Sequence, residues 1–157
     1  MRYLEEAELR VVYLRSEHIA EDISLISEIG ANMIRMVTSP AASGYLDECD
    51  RRGIGVWCDI PLVNSPFLAD VPYTTSPALA ESGREQLREI IAQNYNRPSV
   101  LMWGIFSKLV VPGDDPRPYI RELNSLAKNL DSSRPTVAVS NQDGDINFIT
   151  DMIVWHQ

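Results

Sequence analysis

The chain has 157 residues, 45% of them hydrophobic and 23% charged, which is typical of soluble globular proteins. A chain of this length can bury a full hydrophobic core without disulfides. Its 14 basic and 22 acidic residues give a net charge of −8, so nucleic acids and anionic membrane surfaces are disfavoured as partners.

The N-terminal sequence and the cysteines predict a location. Residues 1–6 are acidic, and no apolar run approaches the roughly 18 residues of a membrane span. We therefore expect a soluble chain without a targeting segment. Cys49 and Cys58 each stand in an apolar segment, which predicts buried free thiols and favours a reducing, cytoplasmic compartment.

Short apolar runs along the chain predict strands, and the segments between them have helical periodicity. Six strands are expected, at Leu9–Leu14, Met33–Val37, Gly55–Ile60, Val100–Phe106, Thr136–Val139 and Met152–Trp155. Four helices are expected between them, from the N-cap Ser16 to Gly30, over Gly44–Arg52, about Pro77–Tyr95 and about Pro118–Leu130. The apolar face of the first helix consists of Ile19, Ile23, Ile26 and Ile29. The third helix is expected to point Leu79, Leu87, Ile90 and Ile91 inward.

The strict alternation of strands and helices predicts βαβ units and a parallel sheet. A dinucleotide-binding sheet is not supported, because no glycine-rich turn follows the first strand. A complete (βα)8 barrel needs roughly 250 residues. We therefore expect one α/β domain over residues 1–157, folded as a partial TIM-type barrel of about six parallel strands alternating with helices. The long loop Pro61–Ser76 follows a strand end, where barrel enzymes build their sites, and is either functional or a surface excursion.

Ordered motifs along the chain carry a resemblance to a known family. They are Glu21–Ile26, Gly30–Arg35, Tyr45–Ile54, Val56–Pro61, Gln93–Val100, Met102–Gly104 and Leu130–Pro135. From roughly Ser16 to Trp155 the chain resembles the central barrel domain of the β-galactosidase-like enzymes, glycoside hydrolase family 2. The resemblance implies hydrolysis of β-linked O-glycosyl bonds with retention, a carbohydrate ligand and no cofactor.

Three features depart from what that resemblance implies. A retaining glycosidase needs one carboxyl as acid/base and a second as nucleophile. The family has Asn-Glu at the acid/base position, and the matching residues here are Ser107 and Lys108. The nucleophile strand of the family corresponds to sequence beyond Gln157, and the family's His-Tyr-Pro is Thr38-Ser39-Pro40. We therefore expect the isolated chain to be inactive.

Candidate site residues follow from the strand ends. Lys108, Asp59 and Ser107 are the catalytic candidates, although Asp59 would more simply form an ion pair with Lys108. The resemblance suggests that Arg35 braces acidic side chains at the barrel mouth. The substrate-binding candidates are Arg35, His156 and three tryptophans, Trp57, Trp103 and Trp155, which would stack on a sugar or pack in the core.

Other chemistries have weaker support in the sequence. No spacing joins the histidines and cysteines into a metal site, so none is expected. A triad of Ser107, His156 and Asp59 would lack the nucleophile elbow. Lys108 could instead form Schiff bases with carbonyl compounds. The open edges of an incomplete barrel also favour a homo-oligomer, in which case the chain would be a self-associating scaffold.

Overall fold

The computed structural model describes residues 16–37, 42–60, 76–109 and 114–155. Helices and strands alternate along them. The helices are α1 (Ser16–Glu28), α2 (Ser43–Arg52), α3 (Pro77–Asn94) and α4 (Arg117–Leu130), and the strands are β1 (Met33–Met36), β2 (Gly55–Asp59), β3 (Val100–Ser107), β4 (Thr136–Ser140) and β5 (Met152–Trp155). A short 3-10 helix, Asp145–Phe148, replaces a full helix between β4 and β5. The predicted strand Leu9–Leu14 and most of the loop Pro61–Ser76 lie outside the described residues.

The five strands form one parallel sheet in the order β1-β2-β3-β4-β5. The expected α/β class and partial TIM-type barrel are confirmed, with five described strands where about six were expected. Sequential parallel neighbours joined by helices place those helices on one side of the sheet. The sheet is therefore a half-barrel whose outer face is covered by helices.

The main hydrophobic core lies between the helices and the outer face of the sheet. It combines residues of α1 to α4 with outward-facing strand residues, among them Ile23, Leu46, Leu87, Ile120, Val56, Cys58, Trp103, Ile105 and Ala138. Cys49 and Cys58 are free and buried in this core, as predicted. Burial raises the pKa of the Cys49 thiol to about 11 and that of Cys58 to about 12.

The inner face of the sheet carries a smaller apolar cluster, Trp57, Val137 and Val139 with Met102 beside it. The register shifts once between β2 and β3 and once between β3 and β4. These irregularities leave Asp59 paired with Gly104, and Ser107 paired with Val139. Since paired residues of parallel strands share a face, Asp59 and Ser107 both lie on the inner face.

Two apolar residues do not lie where the helical periodicity placed them. Ile29 was expected on the buried face of α1, but that helix ends at Glu28 and the Ile29 side chain is 81% exposed. Leu79 was expected to point inward from α3, and it is 52% exposed. Both residues lie at helix ends, where a side chain can leave the buried face without disturbing the residues that follow. Leu87, Ile90 and Ile91 are buried as expected.

Buried polar contacts fix the amino-terminal ends of the strands. The Trp103 indole donates to Asp131 Oδ2 at 3.0 Å, and Arg134 Nη1 donates to the same oxygen at 2.7 Å. Burial alone would raise the pKa of Asp131, but hydrogen bonds from Ser133, Arg134 and Trp103 hold it well below its ordinary value. Among the described residues, no helix is long and apolar enough to cross a membrane.

Candidate functional site

Charged and polar side chains meet on the inner face of the sheet, toward the carboxyl ends of β1, β2 and β3. Arg35 is the third of four residues in β1, while Asp59 and Ser107 are the last residues of β2 and β3. Parallel strands place these ends at one edge, which is where barrel folds build their sites. The structure thus brings together three residues that the sequence marked as candidates.

The Arg35 guanidinium links the three strands. Its Nε and Nη2 donate to Asp59 Oδ2 at 3.0 and 2.6 Å, and Nη2 also donates to Ser107 Oγ at 3.2 Å. The guanidinium lies over the Trp57 ring, 4.2 Å from its centroid. Arg35 therefore braces an acidic side chain, as the resemblance suggested.

The expected ion pair between Asp59 and Lys108 is wrong. The Asp59 side chain is nearly fully buried and its carboxylate is bound by Arg35. The cation that reaches it comes from the neighbouring strand β1, in which Arg35 is paired with Trp57, two residues before Asp59. The order and register of the strands therefore determine which cation binds the Asp59 carboxylate.

Gly104 makes this arrangement possible, although the sequence analysis gave it no role. A Cβ atom at this position would lie 1.9 Å from Asp59 Oδ1 and 2.5 Å from Trp57 Nε1. The side chains of Asp59 and Trp57 in β2 thus pack closely against the β3 backbone at Gly104. An isolated glycine within a strand often marks such a close approach, so the signal was present in the sequence.

Lys108 follows directly after β3 in an unusual backbone conformation. Its φ is +50°, which makes it the one non-glycine with positive φ among the described residues. Its backbone N–H donates to Val139 O at 2.9 Å, so the residue is fixed to β4. The side chain is half-buried, and no carboxylate of the described residues lies within 4.0 Å of its ammonium.

The remaining candidates are placed away from this group or outside the described residues. Trp57 is buried beneath Arg35. Trp103 lies in the core between sheet and helices, on the opposite face from Asp59. Trp155 ends β5 and is 54% exposed, and strand alternation places it on the same face as Ile153, which packs against the outer core. His156 lies outside the described residues.

The group offers neither a metal site nor a completed triad. No cluster of three His, Cys, Asp or Glu side chains that could hold a metal occurs within the described ranges. Ser107 Oγ accepts from the Arg35 cation, and Asp59 binds that same cation. A nucleophilic serine needs a neighbouring base instead. The described geometry therefore gives no support to hydrolysis by a serine.

An arginine, a carboxylate and a lysine thus lie at the carboxyl ends of the strands of a parallel half-barrel. This is the location of the functional site in TIM-barrel proteins. The sequence matches the family described as glycosyl hydrolases family 2, TIM barrel domain, over residues 5–156. The chain belongs to this family.

Known relatives and solved structures agree with this assignment. The chain is 44% identical to a β-glucuronidase of Bacteroides fragilis over 144 residues, covering 92% of this chain and 21% of the relative. It superposes with a TM-score of 0.83 on an FMN-binding β-glucuronidase from Facaelibacterium prausnitzii, at 29% identity over 92% of this chain and 22% of the other. A family 2 β-galacturonidase from Eisenbergiella tayi bound to galacturonate gives 0.80, at 27% identity over 92% and 26%. The chain spans about a fifth of the length of the curated relatives it matches.

Proposed function

We propose that this barrel segment binds β-glycosides at the carboxyl ends of its strands and does not hydrolyse them. The relatives are named β-glucuronidases and β-galactosidases, which supports a β-glycoside as the ligand. One observation carries the non-hydrolytic part of the proposal. Lys108 stands directly after β3, and the resemblance assigns the acid/base glutamate of the family to this position.

An ammonium group cannot replace a carboxylic acid in this reaction. The acid/base of a retaining glycosidase must donate a proton to the leaving oxygen and take one back from water. An ordinary lysine ammonium, with a reference pKa of about 10.4, is a far weaker acid than a glutamic acid with about 4.3. Its positive charge also opposes a transition state that resembles an oxocarbenium ion.

Asp59 offers no simple substitute for the acid/base. Its Oδ2 accepts two hydrogen bonds from Arg35, and the residue is only 2% exposed. A carboxylate held by a guanidinium on the inner face serves to position its neighbours rather than to donate a proton to a ligand. The carboxyl that hydrolysis requires at the end of β3 is thus lacking at residue 108.

The test combines turnover with binding on the 157-residue chain. We expect no steady release of 4-nitrophenol from 4-nitrophenyl β-D-glucuronide or β-D-galactoside above the heat-denatured sample. Methyl β-D-glucoside or methyl β-D-glucuronide should shift backbone amide NMR signals near residues 107–109 and 140–142. Release that copurifies with the chain, vanishes in Lys108→Ala and persists in Lys128→Ala would overturn the inactive assignment. An absence of shifts with every glycoside would overturn glycoside binding.

A second candidate function is amine chemistry at Lys108, because Arg35 and not Lys108 holds Asp59. A neutral lysine amine adds to a carbonyl carbon, water leaves, and an imine forms. Borohydride then reduces the imine to a stable secondary amine. The sequence has just two lysines, so Lys128 serves as an internal reference. Labelling at Lys108 that is no faster than at Lys128 would exclude this candidate.

Self-association of the chain is supported by apolar side chains at β1 and β5, the outermost strands among the described residues. Met33 and Val37 at β1, and Met152, Val154 and Trp155 at β5, are exposed. Unpaired parallel edges favour pairing with another chain. We expect a homodimer, with the edges of one copy covered by the other. A monomeric mass by light scattering at all concentrations, without binding of a dye for apolar surface, would contradict it.

A further inference from the structure

We propose that Lys108 binds a negatively charged group on the anomeric carbon of the sugar, as in a glycosyl 1-phosphate. The inference rests on the proposed function, since residue 108 matches the position from which the family protonates the oxygen on that carbon. A carboxylic acid can donate a hydrogen bond to the neutral ether oxygen of a glycoside. An ammonium group binds a negatively charged oxygen more strongly, because the hydrogen bond is then charge-assisted. The proposed ligand therefore differs from a neutral β-glycoside in the group on its anomeric carbon, which is charged.

The charge balance at this edge favours an anion. Arg35 and Asp59 neutralise one another in their ion pair. Lys108 contributes a further positive charge that no carboxylate of the described residues meets within 4.0 Å. The contrast with the other lysine is direct, because Lys128 forms an ion pair with Asp151. A half-buried cation without a partner is unfavourable until a ligand supplies the opposite charge.

The neighbouring strand ends carry further donors for an oxyanion. Within the described part of the chain, Arg35 Nη1 makes no hydrogen bond, although Nε and Nη2 are engaged. The Arg35 side chain is 21% exposed, so it is accessible from the open side of the sheet. Its contact Ser107 precedes Lys108 directly and carries a hydroxyl. The carboxyl ends of β1 and β3 thus carry an ammonium, a guanidinium and a hydroxyl, which are donor types that bind carboxylates and phosphates.

The backbone at residue 108 supports a role for the side chain. A φ of +50° favours glycine or asparagine, and for lysine it is strained. Strained residues of this kind cluster at ligand-binding and catalytic sites. The hydrogen bond from Lys108 N–H to Val139 O holds the conformation. The fold thus fixes the base of this cation at the carboxyl ends of β3 and β4.

Binding of four sugars to the 157-residue chain tests the inference. β-D-glucose 1-phosphate and β-D-galactose 1-phosphate carry the anion on the anomeric carbon, D-glucuronate carries it at C6, and methyl β-D-glucoside is neutral. We expect the first two to bind about tenfold more tightly than the neutral glycoside at low ionic strength. Lys108→Gln should abolish this difference, while Lys108→Arg and Lys128→Gln should keep it.

A direct readout comes from the two lysines. Reductive methylation with ¹³C-formaldehyde labels both side chains and keeps their charge, so each gives its own NMR signal. We expect glucose 1-phosphate to move the Lys108 signal and to leave the Lys128 signal in place. Thermal melts of every variant show that it is folded before binding is compared.

The alternative outcomes separate this inference from the proposed function. Equal binding of the neutral and anomeric-anion sugars, unchanged by Lys108→Gln, would overturn the inference and leave glycoside binding intact. Tight binding of glucuronate alone would also overturn it, because the anion would lie at C6. Inorganic phosphate that binds as tightly as glucose 1-phosphate would show that the sugar is not recognised. If no sugar binds, the proposed function itself fails.

Discussion

Arg35 donates from two nitrogen atoms to a single carboxylate oxygen of Asp59, with Nε at 3.0 Å and Nη2 at 2.6 Å from Oδ2. The pair joins β1 to β2 on the inner face of the sheet. A third contact, to Ser107, extends it to β3. This cross-strand link holds the inner face together at the carboxyl ends of the strands, where TIM-barrel folds build their sites.

Removal of Arg35 should destabilise the chain more than removal of both partners of the pair. Arg35→Met leaves the buried Asp59 carboxylate without its guanidinium, and we expect a loss of about 3 kcal/mol in urea unfolding. Arg35→Met with Asp59→Leu should recover part of that loss, because no charge is then stranded. The same change at Arg84, which pairs with Glu122 on the exposed surface, serves as the control and should cost less. Additive effects of the two inner substitutions would contradict a coupled pair.

A methyl group at residue 104 should disturb the same region through packing alone. Gly104→Ala places a Cβ 1.9 Å from Asp59 Oδ1 and 2.5 Å from Trp57 Nε1, and both residues are buried. We expect a loss of about 1 to 3 kcal/mol in unfolding free energy. Asp59→Ala in the Gly104→Ala background should remove the larger clash and lower the additional cost. An unchanged melting temperature for Gly104→Ala would show that the two β2 side chains do not lean on β3.

The architecture could be predicted from the sequence because strand and helix periods are local properties. Alternation of apolar runs with amphipathic segments gave the parallel sheet, and Met152–Trp155 is observed with the predicted bounds. Errors arose where tertiary contacts decide, as for Leu79, which is exposed at the start of α3. The periodicity of a helix does not show where its buried face ends.

The candidate site was predictable in its residues and not in its contacts. The sequence placed Asp59 and Ser107 at strand ends and Arg35 within a strand, and the fold brings the three together. It could not reveal that Arg35 meets Asp59, because that contact depends on strand order and register. Trp57 and Trp103 looked equivalent at strand ends, yet a register shift leaves them on opposite faces of the sheet.

Acid should weaken the fold through Asp131. Its pKa in the folded chain lies below the ordinary value, so the unfolded chain takes up this proton more readily. The resulting stabilisation is complete above the ordinary carboxyl range and is lost as the pH falls through about 4 and below. Asp131→Asn should therefore lower stability at pH 7 and flatten the acid side of the profile. Ser133→Ala, which removes one donor to Asp131, should give an intermediate profile in urea unfolding between pH 2 and 7.

Both thiols should resist modification in the native chain. Burial raises the pKa of Cys49 to about 11 and of Cys58 to about 12, and thiolate is the reactive form. With 5,5′-dithiobis(2-nitrobenzoic acid) at pH 8 we expect negligible reaction in buffer and two thiols per chain in guanidinium chloride. Fast reaction of one thiol in buffer would show that the core around α2 and β2 opens readily.

Replacement of Lys108 by glycine should stabilise the chain and remove its proposed ligand contact. The left-handed conformation at residue 108 costs a lysine roughly 1 to 2 kcal/mol. Glycine avoids this cost but loses about 0.5 to 1 kcal/mol of backbone entropy, so a net gain of about 0 to 1.5 kcal/mol is expected. Asparagine should lie between the two. Urea unfolding of Lys108→Gly and Lys108→Asn measures the gain, and Lys128→Gly, within α4, should instead destabilise. A loss of stability in Lys108→Gly would mean that the lysine side chain holds the fold, which would contradict a strained cation positioned for a ligand.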